Sequence, residues 1–477
     1  MNAKSWKIIF ADNYKMKKNL TIFAFLFGFF LVFSSVSGAA ESASIRPTHI
    51  ILEEIVQLLN DFQFDDAIAL FETMDPEESA SPHIMLLKAS VLSSAGKTTD
   101  ARSIAEEVSR AEPGNLDALF VLSAIEGAAG RTREQLAVLE RIIQSDPENI
   151  TALLDLASLH VQSRSINNAI LCFDQVLEID PENLDGLLGR AQLHRLQRDP
   201  HGAEELLNKA VVLYPQTASP YHERARLYRG MGFLAEALDD LDRAKELDLY
   251  DYWIAMDRGH TLLDLFMKAE ALEDFERAAA LRPRDFLAYV YIAGIMDDLK
   301  DHDGAGRAYE ILAALNPDYY FGLEGHGLHS MRNGQWLEAR DAFAEAYRRA
   351  PNEYYYALLA ASSYMRVNVT GPRQFLNQAM TRIDRDSIEF FMFRLFFDLT
   401  GRTNTGENDM LLRIERETNE INKARMSFYM GQYYDIRGIP SMANRHYQQF
   451  KDMNFQSLPE WRLNEWILAE RGLIFPY

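Results

Sequence analysis

The sequence predicts an all-α solenoid of about twelve helix-turn-helix units, on the strength of three observations. Seven prolines, Pro113, Pro147, Pro181, Pro215, Pro283, Pro317 and Pro351, fall on one comb of 34 residues, with Leu249 in its single empty tooth. Twelve residues before the teeth runs a row of small side chains, Ala67, Ala101, Ala169, Ala203, Ala237, Ala271, Ala305 and Ala339, interrupted by Gln135. Four residues after that row stand bulky ones, Phe71, Leu139, Phe173, Leu207, Leu241, Phe275, Tyr309 and Phe343, with Ala105 as the exception. A fixed period in this range marks stacked helical pairs that cannot bury their apolar faces singly.

Residues 1–40 stand apart from the array. An apolar run of twelve, residues 22–33, follows Lys15, Lys17 and Lys18 and precedes small residues up to Ala40. That order is a secretory signal peptide. The run is shorter than the roughly 20 residues of a spanning helix, so cleavage near Ala39 or Ala40 and a periplasmic or secreted product are expected. A membrane anchor through residues 21–36 is the alternative. Met16 is a conventional start for such a signal, so the sequence leaves two starts open, Met1 or Met16, with residues 1–15 an over-extension in the second case.

Ten contiguous 34-residue units then cover residues 48–387, beginning at Thr48, Pro82, Leu116, Ile150, Leu184, Ala218, Tyr252, Phe286, Tyr320 and Tyr354. Each reads as a helix, a tight turn and a second helix. Gly96, Gly130, Gly232 and Gly334 suit the left-handed residue that ends a first helix. The proline stops the second helix because its ring cannot continue the hydrogen-bond ladder, and Asn149 and Asn183 then suit the start of the next. Past Asp386 the register slips: residues 388–423 form a divergent unit with helices expected over 390–399 and 409–421. A regular unit returns over 424–458, and 459–477 reads as a capping helix and tail carrying Trp461 and Trp466.

These residues resemble the tetratricopeptide repeat over roughly 48–458. Ala225 with Tyr228, Ala361 with Tyr364 and Gly431 with Tyr434 match the first-helix pattern; Ala169 with Phe173, Ala271 with Phe275 and Ala339 with Phe343 match the second. Leu153, Leu187, Tyr221 and Tyr289 stand where that repeat often has tryptophan. The resemblance implies a right-handed superhelix whose first helices line a groove that binds proteins or peptides. Fold alone does not name the partner.

Composition narrows the chemistry. The formal charge is −21 over 477 residues, and beyond residue 40 it is −25, so a phosphate backbone is repelled and nucleic acid is not an expected partner. The single cysteine, Cys172, has no partner for an internal disulfide and reads as a small buried hydrophobe. No phosphate loop, nucleophile elbow or paired-cysteine motif appears, and His326 with His329 lacks the flanking carboxylate of a zinc enzyme. No cofactor, metal or enzymatic activity is expected.

If the resemblance holds, positions two, five, nine, twelve and thirteen of each unit face the groove. They give a basic zone of Arg195, His222, Arg226 and Arg229, an apolar one of Trp253, Met256 and Leu263, and an acidic one of Asp264, Asp297 and Asp298. Arginine in such a zone takes a carboxylate in its planar fork. Aromatic residues crowd the first turns of successive units, and Phe321 and Tyr355 are the candidates for a ladder along the groove edge. The lysine and asparagine of a carboxylate clamp are missing, since those sites hold Leu154 with Ser158, Leu188 with Gln192 and His222 with Arg226. The expected function is a non-catalytic, exported scaffold for a protein or peptide. The alternative is an adaptor subunit of an envelope assembly, peptidoglycan-enzyme or polysaccharide-export machinery.

Overall fold

The computed structural model describes residues 46–400 and 406–474, so the expected signal segment and residues 475–477 lie outside the described residues. Among the described residues the chain is all helix: 26 helices and no strand. None of those helices is long and apolar enough to cross a membrane. The chain divides into two compact units, one ending at Leu227 and one starting at Tyr228.

Within the first unit, helices alternate in pairs from Thr48–Asn60 with Phe64–Phe71 to Leu184–Leu196 with Pro200–Leu213. The first pair is cut short because Pro76 comes three residues before the position the comb would give it. The residue preceding a proline is pushed out of helical backbone, so the second helix stops at Phe71 and a four-residue helix, Pro76–Ser79, restarts under the Asp75 cap. Further pairs begin on asparagine caps: the side chains of Asn115, Asn149 and Asn183 accept from the backbone N–H of Ala118, Ala152 and Gly186. Those bonds satisfy donors that a helix start otherwise leaves orphaned.

All eight alanines of the small-residue row are fully buried, which lets the two helices of a pair close on the bulky side chain four residues on. Cys172 is buried in the core of the first unit, and burial pushes its thiol up to about 11. The turn between paired helices repeats as strictly as the prolines do. Phe62, Gly96, Gly130, Arg164, Arg198, Gly232, Phe266, Lys300 and Gly334 lie 34 apart and all have φ between 58° and 85°. After each, the next backbone N–H reaches back five residues, as in Lys97 to the Leu92 carbonyl at 2.9 Å. This is the Schellman closure. Glycine makes it without strain, yet five of the nine positions are not glycine.

The second unit starts from the same pairs, including Tyr252–Asp264 with Lys268–Leu281, Phe286–Asp298 with His302–Leu315, and Tyr320–Arg332 with Trp336–Arg349. A fully buried carboxylate, Asp274, ties the first of these pairs to the helix before it, Leu234–Leu247: Arg258 lies at 2.5 Å, Arg277 at 3.0 Å and Lys245, on that earlier helix, at 3.3 Å. The empty proline tooth, Leu249, is half exposed and changes little, because Asp248 closes the preceding helix through a bond from its N–H to the Ala244 carbonyl at 2.9 Å.

The comb ends at Asn368, whose backbone is extended, and Pro372 delays the next helix so that Arg373–Met380 has eight residues. The divergent stretch forms Ile388–Thr400 and Glu407–Arg416. The second of these stops five residues before the expected 421, because Asn419 caps a new helix, Glu420–Ile436, by accepting from Ile421 and Asn422. Pro440–Asp452 pairs with it, and Pro459–Glu470 follows. That last helix packs on Pro440–Asp452 and also on Tyr320–Arg332, far earlier in the chain.

Candidate partner-binding face

The eight residues expected in the groove fall into four situations. In the first unit, Arg195 ends its helix and Arg226 lies on the following repeat's first helix, both turned toward Glu223, at 3.6 Å and 3.0 Å. Burial opposes the charge on Glu223, but Arg226, Arg195 and His222 outweigh it and hold its carboxyl below the ordinary range. The basic zone therefore already contains an internal carboxylate, which the sequence reading did not place there.

In the second unit, Nε of Arg229 donates to Asp264 at 2.9 Å, and both side chains remain partly exposed. His260 lies beside them. Burial and then the Arg229 charge lower its proton affinity, so the ring is neutral near pH 7. Two helical turns back on the same helix, Trp253 is partly buried against Tyr252, with the Arg282 guanidinium 5.5 Å from its ring centre. The Trp253 indole N–H is buried and finds no acceptor among the described residues. One repeat on, Gly294 is exposed in mid-helix, and nothing lies within 4 Å of where its side chain would start. Asp298 pairs with Lys268 at 2.8 Å at the surface.

Two expectations are corrected. Met256 is 3% exposed and sits in the core with Ala255, Ala288 and Ile292, so it offers no surface to a partner. Tyr355 is 5% exposed: its hydroxyl donates to Glu324 at 3.3 Å, Arg425 covers its ring at 4.3 Å, and Tyr429 donates to its carbonyl at 3.2 Å. The helix Glu420–Ile436 supplies both covering residues, and repeat periodicity gave no sign of that return. Phe321 is 49% exposed, with the rings of Tyr319 and Tyr320 tilted against it at centroid distances of 5.7 Å and 4.5 Å.

The acidic zone is also partly spent. Asp297 is buried and accepts from Tyr309 at 2.9 Å, from Arg462 at 2.5 Å, and shares a hydrogen bond with His329 at 3.0 Å. Burial disfavours its charge, yet the bond from His329 and the Arg462 charge hold its carboxyl below the ordinary range. His329 is thus a structural partner of Asp297, and among the described residues no group of three or more histidine, cysteine or acidic side chains is placed to hold a metal ion. Trp466 lies 5.1 Å from the His329 ring and 5.2 Å from His302, with Arg332 over its face at 5.6 Å. Arg462 and Trp466, four residues apart on the last helix, were missed as face-lining residues. Repeat periodicity carried no signal for them, because they lie on a helix outside the 34-residue comb.

Helices, turns and rows together define an all-α helical repeat protein. The model of the tetratricopeptide repeat family matches residues 86–150 and 154–218, so the chain carries tetratricopeptide repeats there. No curated protein sequence matches the chain. Among solved structures it is similar to a tetratricopeptide repeat protein from Parabacteroides merdae, at 20% identity over 52% of this chain and 98% of that one, with a TM-score of 0.43. Pseudomonas aeruginosa PilF matches at 19% identity over 43% of this chain and 94% of that one, with a TM-score of 0.38. YrrB, described as a TPR protein with an unusual peptide-binding site, matches at 18% identity over 39% of this chain and 95% of that one, with a TM-score of 0.32.

Proposed function

We propose that the chain is a non-catalytic scaffold, exported to the periplasm or cell envelope, that binds a protein or peptide along the first-helix face of its repeats. The observation that carries the reading is the half-buried row on Tyr252–Asp264 and its neighbours: Trp253, His260 and the partly exposed Arg229–Asp264 pair, beside the exposed backbone of Gly294. An aromatic anchor flanked by a half-exposed ion pair suits a partner segment with an apolar side chain and an adjacent charge. Tetratricopeptide repeats generally serve protein–protein interaction, which favours a scaffold over an enzyme. Export rests on the lysine-flanked apolar run before residue 40.

Affinity capture from intact envelopes, read by mass spectrometry, tests the binding. The wild type is expected to recover a partner that the Arg229→Gln, His260→Gln double variant loses, while helicity and melting temperature stay close to wild type. Equal recovery by the variant would move binding off this face. N-terminal sequencing of the native protein tests export: a first residue at Ala40 or Glu41 is expected, and an intact segment before Leu31 replaces secretion with anchoring.

A further inference from the structure

One edge of the second unit carries apolar side chains that the fold does not require. Three consecutive turns between paired helices read Met231-Gly232-Phe233, Leu265-Phe266-Met267 and Leu299-Lys300-Asp301. Phe233 is 47% exposed, Phe266 87%, Met267 36% and Leu299 45%. At the six other turns of the comb the same positions hold a single large apolar residue, Phe62, and the flanking turns are polar, as in Gln197-Arg198-Asp199 and Asn333-Gly334-Gln335. The three apolar turns lie side by side: Arg229 of one repeat bonds Asp264 of the next at 2.9 Å, and Lys268 bonds Asp298 one repeat further at 2.8 Å. Equivalent positions of stacked repeats are neighbours. The exposed side chains thus form one patch, unlike the single ones that any surface tolerates.

Local stability does not account for this patch. Phe266 holds φ of 62°, where glycine is unstrained. Phe233 and Met267 stand at the N-caps of Leu234–Leu247 and Lys268–Leu281 without a side-chain cap bond, a position that serine fills better. Strain, poor capping and exposure kept together at adjoining turns mark a surface that something else covers.

The rim decides the occupant. Glu236, Glu270 and Asp301 are exposed beside these turns, and none of them forms an ion pair among the described residues. Arg229 and Lys268 are already bonded to Asp264 and Asp298, so Lys300 alone opposes those carboxylates. Free carboxylates around an apolar centre repel an anionic lipid surface and a second copy of the same edge. They attract a partner whose apolar residues are ringed by lysine or arginine. We propose that the turn edge of residues 231–233, 265–267 and 299–301 is a docking surface for a protein segment of that composition. It shares no residue with the Trp253 and His260 row, so either reading stands without the other.

The probe is a fluorescein-labelled amphipathic helical peptide of leucine and lysine, titrated with the full chain at low salt and followed by anisotropy. Phe233→Ser with Phe266→Gly is expected to weaken binding at least tenfold while helicity and melting temperature hold or rise, since both replacements suit their backbone positions. Glu236→Gln with Glu270→Gln should weaken it at least threefold, and the same peptide with glutamate in place of lysine should not bind. Unchanged affinity in either variant, or equal binding of the acidic peptide, overturns the proposal. Co-sedimentation of the wild type with phosphatidylglycerol vesicles, lost in the Phe233→Ser, Phe266→Gly variant, assigns the edge to lipid and overturns it as well. So do concentration-dependent dimers that the same variant abolishes, because they assign the edge to a second copy.

Discussion

Nη1 of Arg462 donates to Oδ2 of Asp297 at 2.5 Å, joining two residues 165 positions apart. The carboxylate is buried, while the arginine side chain keeps 41% of its exposure. Asp297 also retains Tyr309 and His329, so removing the arginine leaves it under-compensated but not alone. Arg462→Ala is therefore expected to cost about 1–2 kcal/mol, below the usual loss for breaking a fully buried pair. Urea denaturation measures it; a change under 0.3 kcal/mol would mean solvent already replaces the bond.

Asp274 is the opposite case. It is fully buried with Arg258, Arg277 and Lys245 around it, so Asp274→Ala deprives three partly buried cations of their shared carboxylate, leaving only Arg258, among the described residues, with a second one, Asp242 at 2.6 Å. A loss of about 3–5 kcal/mol is expected. Thermal melts showing less than 1 kcal/mol would indicate that the cations turn out to water.

The left-handed turn positions predict a gain. Phe266 has φ of 62° and is 87% exposed, so it carries backbone strain and makes little contact in return. Phe266→Gly relieves the strain and adds some unfolded-state entropy, for a net stabilisation of about 0.5–1 kcal/mol. The reverse change at an equivalent turn, Gly334→Ala, is expected to destabilise by about 1 kcal/mol. Chemical denaturation of both variants checks the pair, which fails if the signs do not differ.

His446 predicts a pH dependence. Burial, then the nearby Arg445 charge, lowers it to about 4, and the ring stacks neutral on Tyr434 at 5.4 Å. Between about 6.5 and 4 the unfolded chain takes up a proton that the folded one refuses. The stability contribution is thus complete above pH 6.5 and falls away as the solution is acidified towards 4. At pH 4.5 the loss reaches about 2–3 kcal/mol. His446→Phe should remove that part of the acid sensitivity, read as the wild-type minus variant difference between pH 7 and 4.5; an unchanged difference contradicts it.

Fold class was legible because it rests on steric periodicity: proline where a second helix must end, alanine where two helices touch. The turn conformation was legible only at glycine. At Phe62, Arg164, Arg198, Phe266 and Lys300 the Schellman hydrogen bonds impose the same backbone on side chains that do not advertise it. Met256 and Tyr355 were read as surface because hydrophobicity marks groove and core alike, and burial depends on which helix comes to cover the position. Asp297 was read as a groove charge for the same reason. Its partner Arg462 bears no periodic relation to it, so no pattern within the repeats reveals the bond.

A linear stack of repeats ordinarily frays from its ends, each repeat supported by immediate neighbours alone. The last helix breaks that rule by leaning on Tyr320–Arg332 and on Asp297 as well as on Pro440–Asp452. Residues 297–470 consequently close into a loop of mutually dependent contacts whose terminus cannot peel away without disturbing its middle. Calorimetry of the chain should show this stretch unfolding in one sharp step, and the same wide sequence separation should make it the slowest part to form.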